Sequence, residues 1–206
     1  MKGRTMRSIA VLLVLNLLFA GVILSENGYT WDNFRQRVIG QGMAAMAKGW
    51  IGPGDGWYGN TVDLSGIEAG DILLGGNDEA TYGRYTHAGL CDGKGYYWEV
   101  SLEAGVRRKP VSYFTNYTRA CLLRVNASPE KRRAAVRYMA AHEGEIYYAI
   151  AFKPGEKVWN CTKTLWLAYK RAGIEIDGGQ DLWVIPDNIR ASGSVRMISE
   201  SEGGLP

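Results

Sequence analysis

The chain has 206 residues and a formal net charge of +3, with 22% charged and 11% aromatic residues. This length suits a single domain with a sizeable core. Because Lys2, Arg4 and Arg7 all stand at the start, the remainder is close to neutral, which argues against a nucleic-acid partner. The short basic runs at 107–109 and 131–133 are interpreted as solvated faces rather than phosphate-binding patches.

Residues 1–25 are predicted to be a signal peptide or an N-terminal membrane anchor. The stretch from Ser8 to Leu24 is apolar apart from Ser8, Asn16 and Gly21. It is longer than a usual signal core and shorter than the roughly 20 residues of a spanning helix. A cleaved signal and an uncleaved anchor are therefore equal alternatives. Either one predicts an exported domain, which would be periplasmic, secreted or anchored to the outer face of the inner membrane.

Residues 26–61 are predicted to form an N-terminal helix and a loop. The apolar spacing over 31–49 favours a helix, and residues 50–60 are rich in Gly, Pro and Trp. The main domain is predicted over 62–192. Near its start, a Gly-Asp turn at 70–71 leads into a short apolar strand.

A predicted β-hairpin carries one of the two histidines. Its strands are Thr86–Cys91 and Gly95–Val100, with residues 92–94 as the turn. With the turn centred on its middle residue, His87 lies directly opposite Glu99 on one face, with Cβ atoms about 5 Å apart. The carboxylate could then orient the imidazole. A slip of one residue would turn Glu99 to the other face.

Further strands are predicted at Val106–Val111 and Arg119–Val125. A helix then starts at Pro129, with Ser128 as its N-cap. The second histidine, His142, falls in the last turn of this helix. There it complements the helix dipole, and this structural role is preferred to a catalytic one.

A helix is also predicted from Cys161 to Ala172. Asn160 is a suitable N-cap, so Cys161 lies in the first turn, where the helix dipole and the free backbone N–H groups favour an anion such as a thiolate. Leu165 and Ala168 share the face of Cys161. The thiol is therefore expected to point toward the sheet that this helix covers.

The chain has three cysteines, an odd number. A nucleophilic Cys161 must be free, while Cys91 and Cys121 could be buried thiols or a disulfide, and we favour buried thiols. No spacing of cysteines or histidines suggests a metal site, so no metal or other cofactor is expected. Residues 193–206 are predicted to be a polar C-terminal tail, which is frayed from Ser199 to Pro206.

A cysteine hydrolase needs a thiolate, a proton shuttle, a group that orients the shuttle, and donors for an oxyanion. Cys161 offers the thiolate, and its own backbone N–H offers an oxyanion donor. His87 is the better-placed shuttle, because His142 lies in the terminal turn of another helix. Glu99 can orient His87.

Several short motifs occur in a distinctive order along this chain. They are Gly-Asp-Ile-Leu-Leu at 70–74, Thr-His-Ala-Gly-Leu at 86–90, Trp-Glu-Val at 98–100, Asn-Cys-Thr at 160–162 and Ile-Pro-Asp-Asn-Ile at 185–189. Together they resemble the YiiX/YebB-like branch of the NlpC-type, papain-like cysteine hydrolases. The resemblance implies an α+β, circularly permuted papain-like fold, in which an antiparallel sheet packs against the helix that carries the cysteine.

The resemblance also implies roles for individual residues. Cys161 would be the nucleophile, His87 the general base and acid, and Glu99 the polar third member. Tyr148 would line the site or help with the oxyanion, and Asn160 and Thr162 are further candidates for substrate and oxyanion contacts. The chain departs from the family pattern at three positions, with Ala149 after the tyrosine and Thr162 and Lys163 after the cysteine.

The expected function is an exported thiol hydrolase that cleaves an amide or ester through a Cys-His-Glu triad and a thioester. A cell-wall peptide amidase or endopeptidase is the first substrate class that the resemblance implies. A lipid acyltransferase or esterase of the same fold, a catalytically inactive envelope binding module, and an anchored interaction protein remain alternatives. The expected partner is a peptide or acyl substrate in the envelope, with no nucleic acid, and the sequence does not set the oligomeric state.

Overall fold

The structure is a computed structural model in which part of the chain is described. The backbone alone is described for residues 2–10, 24 and 26. The predicted helix at 31–49, the loop at 50–58 and Ala149 lie outside the described residues. The described ranges are 2–26, 59–77, 83–101, 104–148, 151–179 and 181–203.

Among the described elements, four consecutive strands follow the first helix. Two long helices follow the fifth strand, and a short 3₁₀ helix precedes it. In chain order the elements are α1 (Lys2–Glu26), β1 (Ile72–Gly76), β2 (His87–Cys91), β3 (Tyr96–Ser101), β4 (Gly105–Pro110), a 3₁₀ helix (Val111–Asn116), β5 (Arg119–Val125), α2 (Pro129–Ala141), α3 (Cys161–Arg171), α4 (Pro186–Arg190) and β6 (Val195–Glu202).

The described strands form one antiparallel sheet in the order β4-β3-β2-β1-β5-β6. The chain builds the sheet outward from β1 to β4, then crosses to the opposite side of β1 with β5. All five residues of β1 are buried. A strand that is buried on both faces is typical of a sheet covered on both sides.

The two faces of the sheet carry different apolar clusters. Helices α2 and α3 cover one face, where Leu74 and Leu90 pack with Leu165 of α3. The 3₁₀ helix lies on the opposite face, where Leu73 packs with Phe114. The structure thus confirms an α+β architecture in which an antiparallel sheet packs against the helix that carries the cysteine.

Helix α3 begins where the sequence predicts and ends one residue earlier. The Asn160 side-chain oxygen accepts a hydrogen bond from the backbone N–H of Lys163 at 2.8 Å, which is the expected N-cap. The C-cap residue is Ala172, and Gly173 follows it with φ +74°, a left-handed conformation that glycine adopts without strain. These caps fix Cys161 as the first residue of the helix.

The register of the β2–β3 hairpin differs from the prediction by two residues. Leu90 pairs with Trp98, because the turn spans residues 92–95 instead of three residues. Asp92 explains this longer turn: its backbone N–H donates to the Tyr96 carbonyl, and its side chain accepts from the backbone N–H of Lys94 at 2.7 Å. A shift of two preserves the side-chain face, whereas a shift of one would have reversed it.

The prediction of a C-terminal tail is wrong for residues 195–202. They form β6, which pairs with β5 along its length, and the folded domain therefore extends beyond residue 192. Polar composition is compatible with this strand because its backbone supplies the ladder hydrogen bonds. The Glu200 side chain adds an ion pair with Arg190 at 3.0 Å, which ties the strand to helix α4.

Helix α1 carries apolar side chains that are largely exposed from Val11 to Val22. Among the described residues, no helix has both the length and the apolar character needed to cross a membrane.

All three cysteines are free thiols. Cys91 and Cys121 are fully buried, which confirms the preference for buried thiols over a disulfide. Burial raises the pKa of the Cys91 thiol well above its usual range and raises that of Cys121 to about 11. Both therefore stay protonated at neutral pH.

Candidate functional site

His87 is the first residue of β2 and faces the side of the sheet that carries the 3₁₀ helix. Its ring lies near those of Phe114 and Tyr117, with centroid separations of 6.2 and 6.1 Å. The side chain is 14% exposed. Aromatic neighbours thus limit the motion of the imidazole while leaving part of it accessible.

The Glu99 carboxylate contacts this imidazole. Its Oε2 atom lies 2.8 Å from Nε2 of His87. An ionised carboxylate only accepts hydrogen bonds, so we assign the proton of this contact to Nε2 of His87. Nδ1 then remains as the second ring nitrogen.

Three further groups hold Glu99, which is only 3% exposed. The Tyr97 hydroxyl donates to Oε2 at 3.0 Å, Nε of Arg107 donates to Oε1 at 2.7 Å, and Nζ of Lys109 lies 3.7 Å from Oε1. Burial acts to raise the pKa of Glu99. The hydrogen bonds from His87 and Arg107 and the charge of Lys109 outweigh it and lower the pKa to about 2.

The interpretation of the run at 107–109 as a solvated face is wrong for two of its three residues. Arg107 pairs with Glu99 across β3 and β4, and Lys109 lies on the same face because strand side chains alternate. Only Arg108 points to the opposite face, where it binds Asp92. The period of two in this strand was the signal that could have separated these residues.

Gly89 makes room for one part of this network. A Cβ atom at this position would clash with the Tyr97 ring, so only glycine lets that ring lie across β2. In this position the Tyr97 hydroxyl reaches Glu99.

Cys161 lies at the N-terminus of α3 and is 8% exposed. The thiol lies close enough to the His87 ring to act on the pKa of the imidazole. Since Nε2 is bound to Glu99, Nδ1 is the ring nitrogen left for the thiol. Burial lowers the pKa of His87, but the interactions with Cys161 and Glu99 outweigh it and raise the pKa to about 9.

Asn160 and Thr162 flank Cys161, and both side chains have structural partners. Asn160 caps the helix, and the Thr162 hydroxyl donates to the Val184 carbonyl at 2.6 Å. Both residues are buried. Lys163 is also fully buried, and its ammonium donates to the Pro154 carbonyl at 3.3 Å. These side chains hold the start of α3 in place.

The two tyrosines before the cysteine differ in their contacts. The ring of Tyr148 lies 4.8 Å from that of Phe19 in α1. Tyr147 is the tyrosine that interacts electrostatically with Cys161. Burial raises the pKa of Tyr147, and the charge at Cys161 raises it further. The sequence resemblance selected Tyr148 and missed Tyr147, which is one residue away in an extended segment.

His142 lies outside this group, as predicted. It is the C-cap of α2, and its Nδ1 donates to the Tyr138 carbonyl at 2.7 Å. Its ring also packs against that of Trp159 at 4.7 Å. The structure therefore confirms a structural role at the helix end.

Glu99 thus contacts His87 directly, and Cys161 is close enough to act on the pKa of this imidazole. A thiol, an imidazole and a carboxylate in this order can hold a thiolate beside an imidazolium. Within the described ranges, no group of three or more His, Cys, Asp or Glu residues could hold a metal ion.

Comparisons with protein-family models and with curated proteins found no match. Among solved structures, the chain is similar to a crystal structure of the metalloprotein yiiX from Escherichia coli O157:H7, DUF1105. The TM-score is 0.53 and the identity 16%, over 68% of this chain and 98% of that chain. This chain has a YiiX-like fold.

Proposed function

We propose that this protein is a cysteine hydrolase with a circularly permuted papain-like fold. The observation that supports it most directly is the 2.8 Å contact between Glu99 and His87, together with the effect on the His87 pKa of Cys161, which lies at a helix N-terminus. This is the order of nucleophile, base and orienting group that covalent hydrolysis requires. The raised pKa of His87 favours an imidazolium at neutral pH.

The reaction is an acyl transfer in two halves. The Cys161 sulfur attacks the carbonyl carbon of the substrate, and the carbon–sulfur bond forms as the carbonyl oxygen takes the negative charge. His87 then gives its proton to the leaving amine or alcohol, and a thioester remains. In the second half His87 takes a proton from water, the resulting hydroxide attacks the thioester, and release of the acid restores Cys161.

The start of α3 offers donors for the oxyanion. The first backbone N–H groups of a helix have no intrahelical acceptor. The Lys163 N–H is used by the Asn160 cap, and the Thr164 N–H by the Asn160 carbonyl at 3.2 Å. The backbone N–H of Cys161 comes before both and lies beside the attacking sulfur, where it can stabilise the developing charge.

We propose that the substrate is an amide in a cell-envelope peptide and that the protein is exported. The basic start and the apolar stretch from Ser8 to Leu24 support export. The mass of the mature protein from a native host tests it, because a cleaved leader removes about 25 residues. An intact mass combined with cytoplasmic fractionation would contradict export.

The YiiX neighbour is described as a metalloprotein, but the donors described here do not fit a metal centre. Glu99, the carboxylate nearest to His87, already accepts hydrogen bonds from His87, Tyr97 and Arg107. The proposed reaction uses groups of this chain and a water molecule.

A lipid ester or acyl amide is a second substrate class, which one contact favours. Phe19 of the apolar helix α1 packs against Tyr148, and the charge at Cys161 raises the pKa of the adjacent Tyr147. An acyl chain beside α1 would therefore lie near the thiol. Incubation with cell-wall peptides and with lipids, followed by mass spectrometry of the bond cleaved, distinguishes the two classes.

The hydrolase proposal is tested with a thiol-reactive amide or ester probe at neutral pH. The buried Cys91 and Cys121 serve as internal controls for Cys161. Peptide mapping is expected to find the label on Cys161 and on neither of the other two thiols. Labelling is expected to vanish in Cys161→Ala and to fall strongly in His87→Ala. If Cys161 reacts no faster than a free thiol such as glutathione, the protein is a binding module and not a hydrolase.

A further inference from the structure

The two oxygens of the Glu99 carboxylate have different hydrogen-bond partners. Oε2 contacts Nε2 of His87 and the Tyr97 hydroxyl. Oε1 accepts from Nε of Arg107 at 2.7 Å. Only one oxygen of this carboxylate therefore faces the imidazole, and a group on another strand holds the second oxygen.

The rotation of a glutamate carboxylate is intrinsically soft, because its terminal torsion has a broad energy minimum. A partner on Oε1 removes this freedom. Arg107 is directly opposite Glu99 in the β3–β4 register, so the two side chains share a face and lie as close as cross-strand neighbours can. Its planar guanidinium presents donors at fixed angles, unlike a flexible ammonium.

We infer that Arg107 is a positioning residue of this site, which holds Oε1 of the Glu99 carboxylate so that Oε2 orients the His87 imidazole. This inference rests on the proposed function, since an oriented imidazole matters only to a reaction at Cys161. Arg107 itself does not need to touch substrate. It acts through Glu99, and its effect is therefore visible at His87.

The neighbouring Arg108 provides a matched comparison. It lies one residue along the same strand with its side chain on the opposite face. There it binds Asp92 and stacks over Tyr96, with the guanidinium carbon 4.1 Å from the ring centroid. Its side chain is 40% exposed, against 28% for Arg107. Both arginines bind a carboxylate, but only Glu99, the partner of Arg107, contacts His87.

The charges around His87 make the inference distinguishable from a simple electrostatic effect. The groups that face this cluster are Cys161 from α3, Glu99 and Tyr97 from β3, Tyr117 beside the ring, and Arg107 and Lys109 from β4. If Arg107 were only a nearby cation, its removal would relieve repulsion and stabilise the imidazolium. If it positions Glu99, its removal loosens the hydrogen bond that stabilises the imidazolium. The two roles predict opposite shifts.

The experiment compares wild type with Arg107→Gln, Arg107→Lys and Arg108→Gln in the full chain. The ¹⁵N and ¹H signals of the His87 ring are followed by NMR across pH, together with the rate of probe labelling at Cys161. Arg107→Gln is expected to lower the titration midpoint of His87 by about one pH unit, a tenfold change in protonation. It should also cause the loss of the hydrogen-bonded Nε2–H signal.

The comparison variants define the rest of the result. Arg107→Lys keeps the charge but loses the fixed donor geometry, so its His87 midpoint is expected to lie between those of Arg107→Gln and wild type. Arg108→Gln is expected to leave the wild-type behaviour unchanged. Arg107→Gln added to Glu99→Gln should have no further effect, because its route through Glu99 is gone. Where the Gln variant does not fold, Arg107→Met, which keeps the aliphatic stem, replaces it.

Two outcomes would overturn the inference. In the first, Arg107→Gln behaves like Arg108→Gln; in the second, it raises the His87 midpoint. The proposed function fails separately, when wild-type Cys161 lacks enhanced reactivity. The NMR readout on His87 still decides the role of Arg107 in that case, since it needs no turnover.

Discussion

Glu99 reaches His87 diagonally across the β2–β3 hairpin. The pairing of Leu90 with Trp98, continued along both strands, places His87 opposite Ser101 and leaves Glu99 two residues away. Diagonal neighbours are about 7–8 Å apart, a gap that only long side chains span. The 2.8 Å contact between Nε2 and Oε2 therefore depends on the full length of the glutamate.

The length of this side chain gives the first prediction. Glu99→Asp keeps the charge but removes one methylene, so the carboxylate should no longer reach His87. Both Glu99→Asp and Glu99→Gln are expected to lower the pKa of His87 from about 9 toward its usual value of 6.5. NMR titration of the ring measures this shift. If Glu99→Asp retains the wild-type pKa, the diagonal contact is not the one that matters.

The two histidines of the chain give a matched pair of variants. His87→Ala is expected to lower turnover by about 10²–10⁴-fold, the usual contribution of a general acid and base. His142→Ala removes a hydrogen bond to the Tyr138 carbonyl and ring contacts with Tyr138 and Trp159, so its turnover per folded molecule should equal wild type. Initial rates on one amide substrate compare them. Equal losses in both variants would show a general folding effect.

The N-cap of α3 links stability to the reactive thiol. Asn160→Ala removes the acceptor for the Lys163 N–H and should lower the free energy of unfolding by about 1 kcal/mol. Asn160→Asp, which retains a cap oxygen, should lose much less. Urea denaturation measures both variants. Probe labelling of Cys161 should fall only in the alanine variant, because a frayed first turn no longer holds the sulfur beside His87.

The dependence of stability on pH follows from two shifted groups. The folded pKa of His87, about 9, exceeds its usual 6.5. The stability that this shift contributes is therefore fully present below pH 6.5 and is lost as pH rises through 9. The folded pKa of Glu99, about 2, lies below its usual 4.5, so its contribution is present above 4.5 and disappears as pH falls through 2. The combined contribution is largest between about 4.5 and 6.5.

Urea midpoints across this pH range test the prediction. In Glu99→Gln, the free energy of unfolding should fall less steeply between pH 4.5 and 2, because the contribution of Glu99 is gone. It should also change less between pH 6.5 and 9. Arg108→Gln serves as the control because its carboxylate partner is Asp92. Slopes identical to wild type in Glu99→Gln would contradict the assigned shifts.

The sequence predicted the features of this site that depend on local patterns. The cap at Asn160, the position of Cys161 and the face shared by His87 and Glu99 follow from helix and strand periodicity within a few residues. The role of His142 at a helix end also followed locally. Each of these depends on a pattern that neighbouring residues determine.

The features that were missed depend on contacts between distant segments. The hairpin register changed because the Asp92 side chain stabilises a longer turn, and β6 is a strand because β5 offers it a free edge. The role of Arg107 needs the β3–β4 register as well as its own strand. Composition made 193–206 resemble a tail, since an edge strand can be as polar as a loop.

The burial of Cys91 and Cys121 determines how the protein would respond to oxidants. These thiols belong to the clusters on opposite faces of the sheet, and both have raised pKa values. Neither is poised to attack a sulfenic acid at Cys161 and form a protective disulfide. In an oxidising compartment, recovery of an oxidised Cys161 would therefore depend on a thiol donor from outside the molecule.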